Sequence, residues 1–110
     1  MEEKITSLIR KLQSKWSLPE ERRKTLDRIV ELSTPLIEKA AARYLKKYPQ
    51  FESSDLIQEA RLAIIKAAER FDFRKKSSFS TYAHHWIRVF LERYIAKNRL
   101  IISAPVSLVH

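Results

Sequence analysis

Three features of the sequence predict an all-α fold, a compact bundle of about five helices. Glycine is absent and only four prolines occur, which disfavours tight hairpins and glycine-dependent sheets. Ala, Leu, Ile, Glu, Lys and Arg dominate the composition. Apolar residues recur at intervals of three and four along most of the chain, the spacing of a helix face.

The elements follow in order. Ile5, Leu8, Ile9 and Leu12 form a short amphipathic segment ending near Trp16. Ser17-Leu18-Pro19-Glu20-Glu21 places a cap, a proline and two acids where a second helix should start. That helix carries Leu26, Ile29 and Val30 and ends by Ser33. Ser33-Thr34-Pro35 opens a third, with Leu36, Ile37, Ala40, Ala41, Tyr44 and Leu45 on its apolar side and Pro49 stopping it. Ser53-Ser54-Asp55 reads as the cap of a fourth helix running to about Phe71. Residues Asp72 to Ser78 lack periodicity and hold three consecutive cations, so they read as a loop. A fifth helix covers about Phe79 to Asn98. Ile101 to Val106 reads as extended, because Pro105 disfavours helical geometry at Ala104. The expected organisation is one helical domain over 1–100 and the extended start of a following segment over 101–110.

At 110 residues the chain can bury one core. It has no cysteine, hence no disulfide, thiolate metal site or Cys nucleophile. Met1 is followed by Glu2, Glu3 and Lys4 rather than by a basic run and an apolar core, and no apolar run approaches a membrane span, so a cytoplasmic protein is expected. The net charge of +9 is uneven. Residues 1–60 carry 12 Lys/Arg against 10 Asp/Glu, whereas residues 61–100 carry 10 against 3. Such asymmetry favours a polyanionic partner, nucleic acid before membrane, over a basic surface kept for solubility.

On a helical wheel Leu56, Ala60, Ala63, Ile64, Ala67 and Phe71 share the core face of the fourth helix. Gln58, Leu62, Ile65 and Glu69 fall opposite. Two large aliphatics there are explained by ordinary scattered exposure, by cover from another helix, or by a docking strip for a protein partner. In the fifth helix Ala83, Ile87, Phe90, Leu91 and Tyr94 form the buried stripe. Tyr82, Trp86, Val89 and Arg93 lie on its shoulder, and Phe79 lies between the two at the helix start. Core packing is the plain explanation of such aromatics. Their neighbours Arg74, Lys75, Lys76 and Arg93 suggest a second one, because single-stranded nucleic acid needs cations for phosphates and rings for bases.

A metal site at His84 and His85 fails on geometry. Adjacent helical side chains diverge by about 100°, and no Cys or acid completes a ligand set. No nucleophile elbow, phosphate loop or paired-carboxylate signature is present, so neither a cofactor nor an enzymatic activity is expected.

The stretch DLIQEARLAIIKAAERFDFRKKSSFSTYAHHWIR resembles region 2 of the sigma-70 family of bacterial RNA polymerase sigma factors. The matching residues are Asp55 to Glu59, Lys66-Ala67, Arg70-Phe71-Asp72, Phe79 to Ala83 and Trp86-Ile87-Arg88. The resemblance is sharp over about 55–100 and looser through Pro35–Lys47. It implies that the fourth helix docks on a coiled coil of the clamp-forming largest subunit of core polymerase, through Asp55, Gln58, Glu59, Arg61, Leu62 and Ile65. It implies that the loop and fifth helix melt promoter DNA and hold the non-template strand of the −10 element. Phe79 and Tyr82 match the aromatics around a flipped adenine, and Trp86 matches one of two wedge residues at the upstream fork, with His85 at the place of the other. Arg74, Lys75, Lys76, Arg88 and Arg93 fall where phosphate is contacted, and Val89 and Glu92 where the upstream edge of the element is read.

Departures from the housekeeping pattern point to an alternative member. His85 stands where a second tryptophan is usual, Val89 and Glu92 stand where Gln and Thr are usual, and an aromatic is missing near Ser77. Val89 cannot bond a base edge bidentately, and Glu92 repels phosphate or selects a cytosine amino group. The chain has no room for the family's −35-reading helix-turn-helix, which implies a fragment of a longer factor or a split factor. That Val106–His110 stops in mid-motif favours the fragment. Two other readings stay open: an interaction module that binds polymerase or an anti-sigma factor without melting DNA, and a freestanding basic nucleic-acid binder.

Overall fold

A computed structural model describes residues 2–14 and 16–103, with side chains up to Arg99. Five α-helices are found among the described residues: α1 (Glu2–Gln13), α2 (Pro19–Leu32), α3 (Thr34–Lys47), α4 (Ser53–Arg70) and α5 (Phe79–Ser103). No helix among them is long and apolar enough to cross a membrane.

α4 is the central element and touches the other four. Leu56, Ala60, Ala63, Ile64, Ala67 and Ala68 give it a fully buried face, all but Ala68 as its periodicity predicts. Four of these six are alanines, so neighbouring helix axes can approach closely. Ile5, Ile9 and Leu12 of α1, Ile29 of α2, and Ile37, Ala40 and Ala41 of α3 close the core around it. From α5 the buried residues are Phe79, Ala83, Ile87, Leu91 and Ile95. This corrects the expected stripe, since Phe90 and Tyr94 are only half-buried. A helix crossing another presents a ridge of i+4 steps, and that ridge winds away from the vertical stripe drawn on a wheel.

The helix ends also differ from expectation in their caps. α1 stops at Gln13, before Trp16, and Ser17 Oγ donates back to the Lys11 carbonyl at 2.7 Å. Leu18 therefore holds the N-cap of α2, with Pro19 at its first position, where no amide hydrogen is needed. Ser33 alone separates α2 from α3. It is 1% exposed, and its hydroxyl turns back to the Ile29 carbonyl at 2.8 Å instead of capping α3. Glu52, rather than Ser53 or Ser54, is the N-cap of α4, and its carbonyl accepts from the Asp55 and Leu56 amides. α5 continues to Ser103, so Ile101 to Ser103 are helical where an extended chain was expected. The first breaking signal after Asn98 is Pro105, which restricts only the residue before it. Residues 104–110, the rest of the expected extended segment, lie outside the described residues.

Candidate nucleic-acid interface

The segment between α4 and α5 is folded on itself. Asp72 Oδ1 accepts from the backbone amide of Arg74 at 2.9 Å and from its Nε at 3.0 Å, while Nη2 donates to Oδ2 at 3.2 Å. These hydrogen bonds from Arg74 hold the Asp72 carboxyl below its ordinary range. The bend leaves Lys75 and Lys76 exposed. Ser78 then caps α5, its Oγ accepting from the Thr81 amide at 3.2 Å.

Aromatic rings continue from this loop along α5. Phe71 meets Phe73 and Phe79 edge-on at 4.9 and 5.7 Å, and Tyr82 in a tilted contact at 5.8 Å. Tyr82 meets Trp86 at 6.4 Å and 82°, and Trp86 meets His85 and Phe90, each at 6.1 Å. Tyr82 and Trp86 are half-buried, with the Tyr82 hydroxyl donating to the Arg70 carbonyl at 3.3 Å. The indole N–H of Trp86 is buried and meets no acceptor among the described residues.

Phe79 corrects the expectation of a base-contacting ring. It is 1% exposed, packed against Phe71 inside the core. Its place at the start of α5 puts it on the i+4 ridge with Ala83 and Ile87, so no face is left for a base. Of the expected base-contacting rings, Tyr82 and Trp86 keep part of their surface open, with His85 exposed beside them.

The cations divide into two groups. Arg74 is paired with Asp72, and Arg88 Nε lies 3.4 Å from Glu92 Oε2. Lys75, Lys76 and Arg93 are exposed, and no ion pair among the described residues joins them to an acid. Arg93 lines a groove of about 320 Å³ with Glu59, Phe90, Tyr94, Lys97 and Asn98. Val89 is half-buried and Glu92 is exposed, but Glu92 also accepts a hydrogen bond from Tyr44 of α3 at 3.1 Å. Nothing in the sequence pattern marked Tyr44 as a partner of α5. His84 turns to a different surface from His85, where it lines a cavity with Ile5, Ser33, Leu36, Lys39 and Phe79.

The six expected docking residues of α4 fall on two surfaces. Gln58, Arg61, Leu62 and Ile65 line one groove together with Asp27 and Val30 of α2, and Leu62 is 41% exposed there. Asp55 and Glu59 instead face α5. Burial first, then the charge and hydrogen bond of Asp55, raise the Tyr94 pKa above its ordinary value. The split follows from the helix itself, since residues 55 and 59 lie one shoulder away from 58, 62 and 65.

The family model for Sigma-70 region 2 matches residues 29–101, from the last turn of α2 to the end of α5. Similar proteins include the RNA polymerase sigma factor SigA of Nostoc sp. strain PCC 7120, 41% identical over 86 residues, which are 78% of this chain and 22% of that protein. The SigA of Synechocystis sp. strain PCC 6803 is 41% identical over 78% of this chain and 20% of its own length. That of Clostridium acetobutylicum is 43% identical over 74% of this chain and 21% of its own. The chain thus spans about a fifth of the length of these curated relatives. The five helices of the described residues and this match together define a sigma-type region 2 domain. The chain belongs to the Sigma-70 region 2 family.

Proposed function

We propose that this chain is the part of a bacterial sigma factor that docks on core RNA polymerase and melts and captures the −10 element. The observation that carries the reading is the half-buried Tyr82–Trp86 pair on α5, immediately after a bend that leaves Lys75 and Lys76 exposed. Two ring faces beside unpaired cations suit a single strand, whose bases stack while its phosphates are neutralised. Lys75, Lys76 and Arg93 position the strand. Arg74 and Arg88 reach phosphate only by loosening the ion pairs they already make.

The groove of Gln58, Arg61, Leu62 and Ile65, widened by Asp27 and Val30, has an apolar centre and a polar rim. It suits the clamp coiled coil of the largest polymerase subunit. Asp55 and Glu59 support that surface from the α5 side. On this reading the chain is not an enzyme and works in the cytoplasm, with an anti-sigma factor as a competitor for the same groove.

His85, Val89 and Glu92 are the residues through which we read an alternative −10 preference. The SigA names of the relatives do not favour that reading, which rests on these side chains alone. Glu92 is a weak base reader while Tyr44 and Arg88 hold its carboxylate.

The test is tryptophan fluorescence with a single-stranded oligodeoxynucleotide carrying TATAAT. Trp16 is 84% exposed on the α1–α2 link, so Trp16→Phe isolates the Trp86 signal. Quenching of Trp86 is expected. An unchanged signal with intact polymerase binding would leave the interaction module as the function.

A further inference from the structure

Helix α1 precedes the family match, yet its polar side chains reach both ends of the loop that the functional reading places against DNA. At the far end, Glu2 Oε1 accepts from the Phe79 amide at 2.6 Å and the Ser80 amide at 3.3 Å, and Oε2 accepts from Ser80 Oγ at 2.9 Å. With Ser78 Oγ taking the Thr81 amide and the Ser78 carbonyl taking the Tyr82 amide, all four leading amides of α5 are satisfied. At the near end, Gln13 Nε2 donates to the Ala68 carbonyl at 3.1 Å and the Phe71 carbonyl at 2.9 Å, closing the last turn of α4. Between the two, the Arg10 guanidinium lies 4.0 Å from the Phe73 ring centroid. Ile5, Ile9 and Leu12 anchor the adjacent face of α1 in the core. A helix is a stiff spacer, so these three contacts fix the distance between the ends of the loop.

We infer that Glu2, Arg10 and Gln13 are positioning residues: α1 is a brace that holds the Phe71–Ser78 loop and the first turn of α5 in the geometry that presents Lys75, Lys76 and Tyr82 to a single strand. The inference rests on the functional reading above for its DNA side and on the hydrogen bonds alone for its structural side. A carboxylate on a helix N-terminus also complements the helix dipole, which adds to the cap. Neither Glu2 nor Gln13 contacts the α4 docking groove.

Glu2→Ala and Gln13→Ala in the whole chain test this. The readouts are amide hydrogen exchange over residues 72–82 and over 56–65, the urea midpoint, and anisotropy of a fluorescein-labelled single-stranded oligodeoxynucleotide carrying TATAAT. Loss of a cap predicts exchange about tenfold faster over 72–82, with 56–65 and the urea midpoint nearly unchanged. Oligonucleotide affinity should fall about fivefold in each variant, by the same cap loss. The sign is diagnostic for Glu2→Ala: removing an acid from a basic protein by itself tightens phosphate binding, so weaker binding reports lost positioning. Exchange that rises everywhere with a lowered midpoint makes α1 a plain structural support and overturns the inference. Local acceleration with unchanged affinity overturns it too. If the unsubstituted protein ignores the oligonucleotide, the functional reading fails instead, and exchange over 72–82 alone upholds or overturns the brace.

Discussion

The hydroxyl of Tyr44 donates to Oε2 of Glu92 at 3.1 Å, tying α3 to the middle of α5. The same carboxylate oxygen lies 3.4 Å from Arg88 Nε. Glu92 thus stands in a network with a phenol on one side and a guanidinium on the other, and Arg43 adds a further cation nearby. Burial first, and then the hydrogen bond and charge of Glu92, raise the Tyr44 pKa above 10.0, against the opposing pull of Arg88 and Arg43. Replacing Glu92 by Gln removes its charge, so Tyr44 should ionise at lower pH, though burial still holds it up. Ultraviolet difference titration of tyrosinate, with Tyr44→Phe to assign the signal, measures this. The linkage to stability has a definite sign. The unfolded phenol loses its proton near 10.0 while the folded one keeps it, so this contribution is present below that pH and lost as pH rises through the folded value. Tyr94 is raised in the same direction. Tyr44→Phe and Tyr94→Phe should therefore flatten the fall of the urea midpoint above pH 10.0.

Phe79 and Tyr82 lie three residues apart on α5 and should respond oppositely to truncation. Phe79 is 1% exposed in the core, so Phe79→Ala should destabilise the fold by about 3–5 kcal/mol. Tyr82 is half-buried, and Tyr82→Ala should weaken single-strand binding by about 1–3 kcal/mol through lost stacking. Tyr82→Phe keeps the ring and loses only the 3.3 Å bond to the Arg70 carbonyl, so it should bind the oligonucleotide nearly as the unsubstituted protein does. Urea denaturation and fluorescence anisotropy separate the two effects.

That contrast shows what the sequence could carry. Periodicity was enough for the burial of Leu56, Ala60, Ala63, Ile64 and Ala67, because a core helix repeats its own pattern. It also placed Tyr82 and Trp86 at an edge. It left Phe79 between the two stripes, because the depth of that ring depends on how α5 crosses α4, a tertiary property with no local signature. The expected serine caps of α4 failed for a related reason: several residues near a helix start can take the N-cap, and the chain path selects one. Glu2 on Phe79, 77 residues away, and Tyr44 on Glu92, 48 away, leave no periodic trace. Asp27 and Val30 joined the α4 groove for the same reason, through helix packing that no window of sequence spans.

Asp72 and Arg74 make the loop acid-sensitive in a local way. Hydrogen bonds from the Arg74 side chain, and then from its amide, lower the Asp72 pKa below 3.8. The contribution of this bend is present above that value and is lost as pH falls through the folded one. Arg74 is exposed and Asp72 only half-buried, both outside the apolar core, so the transition should open the bend without unfolding the helices. The Arg74 amide resonance should titrate with a midpoint below 3.8, and Asp72→Asn should abolish that titration.

Leu62 gives the cleanest test of the proposed docking apart from the proposed DNA capture. It is 41% exposed, in a groove with Ile65, Gln58 and Arg61 of α4 and Asp27 and Val30 of α2. A charge at the centre of an apolar strip costs a partner its desolvated contact, while an exposed site changes monomer stability by only about 0.5 kcal/mol. Leu62→Glu should therefore abolish binding to core polymerase in a pull-down and leave the urea midpoint in place. Its effect on the oligonucleotide should be small, because residue 62 lines the groove shared with α2 and not the Tyr82–Trp86 edge of α5. Asp27→Arg tests whether α2 shares the surface: it should weaken polymerase binding if the groove is used whole, and leave it unchanged if α4 docks alone.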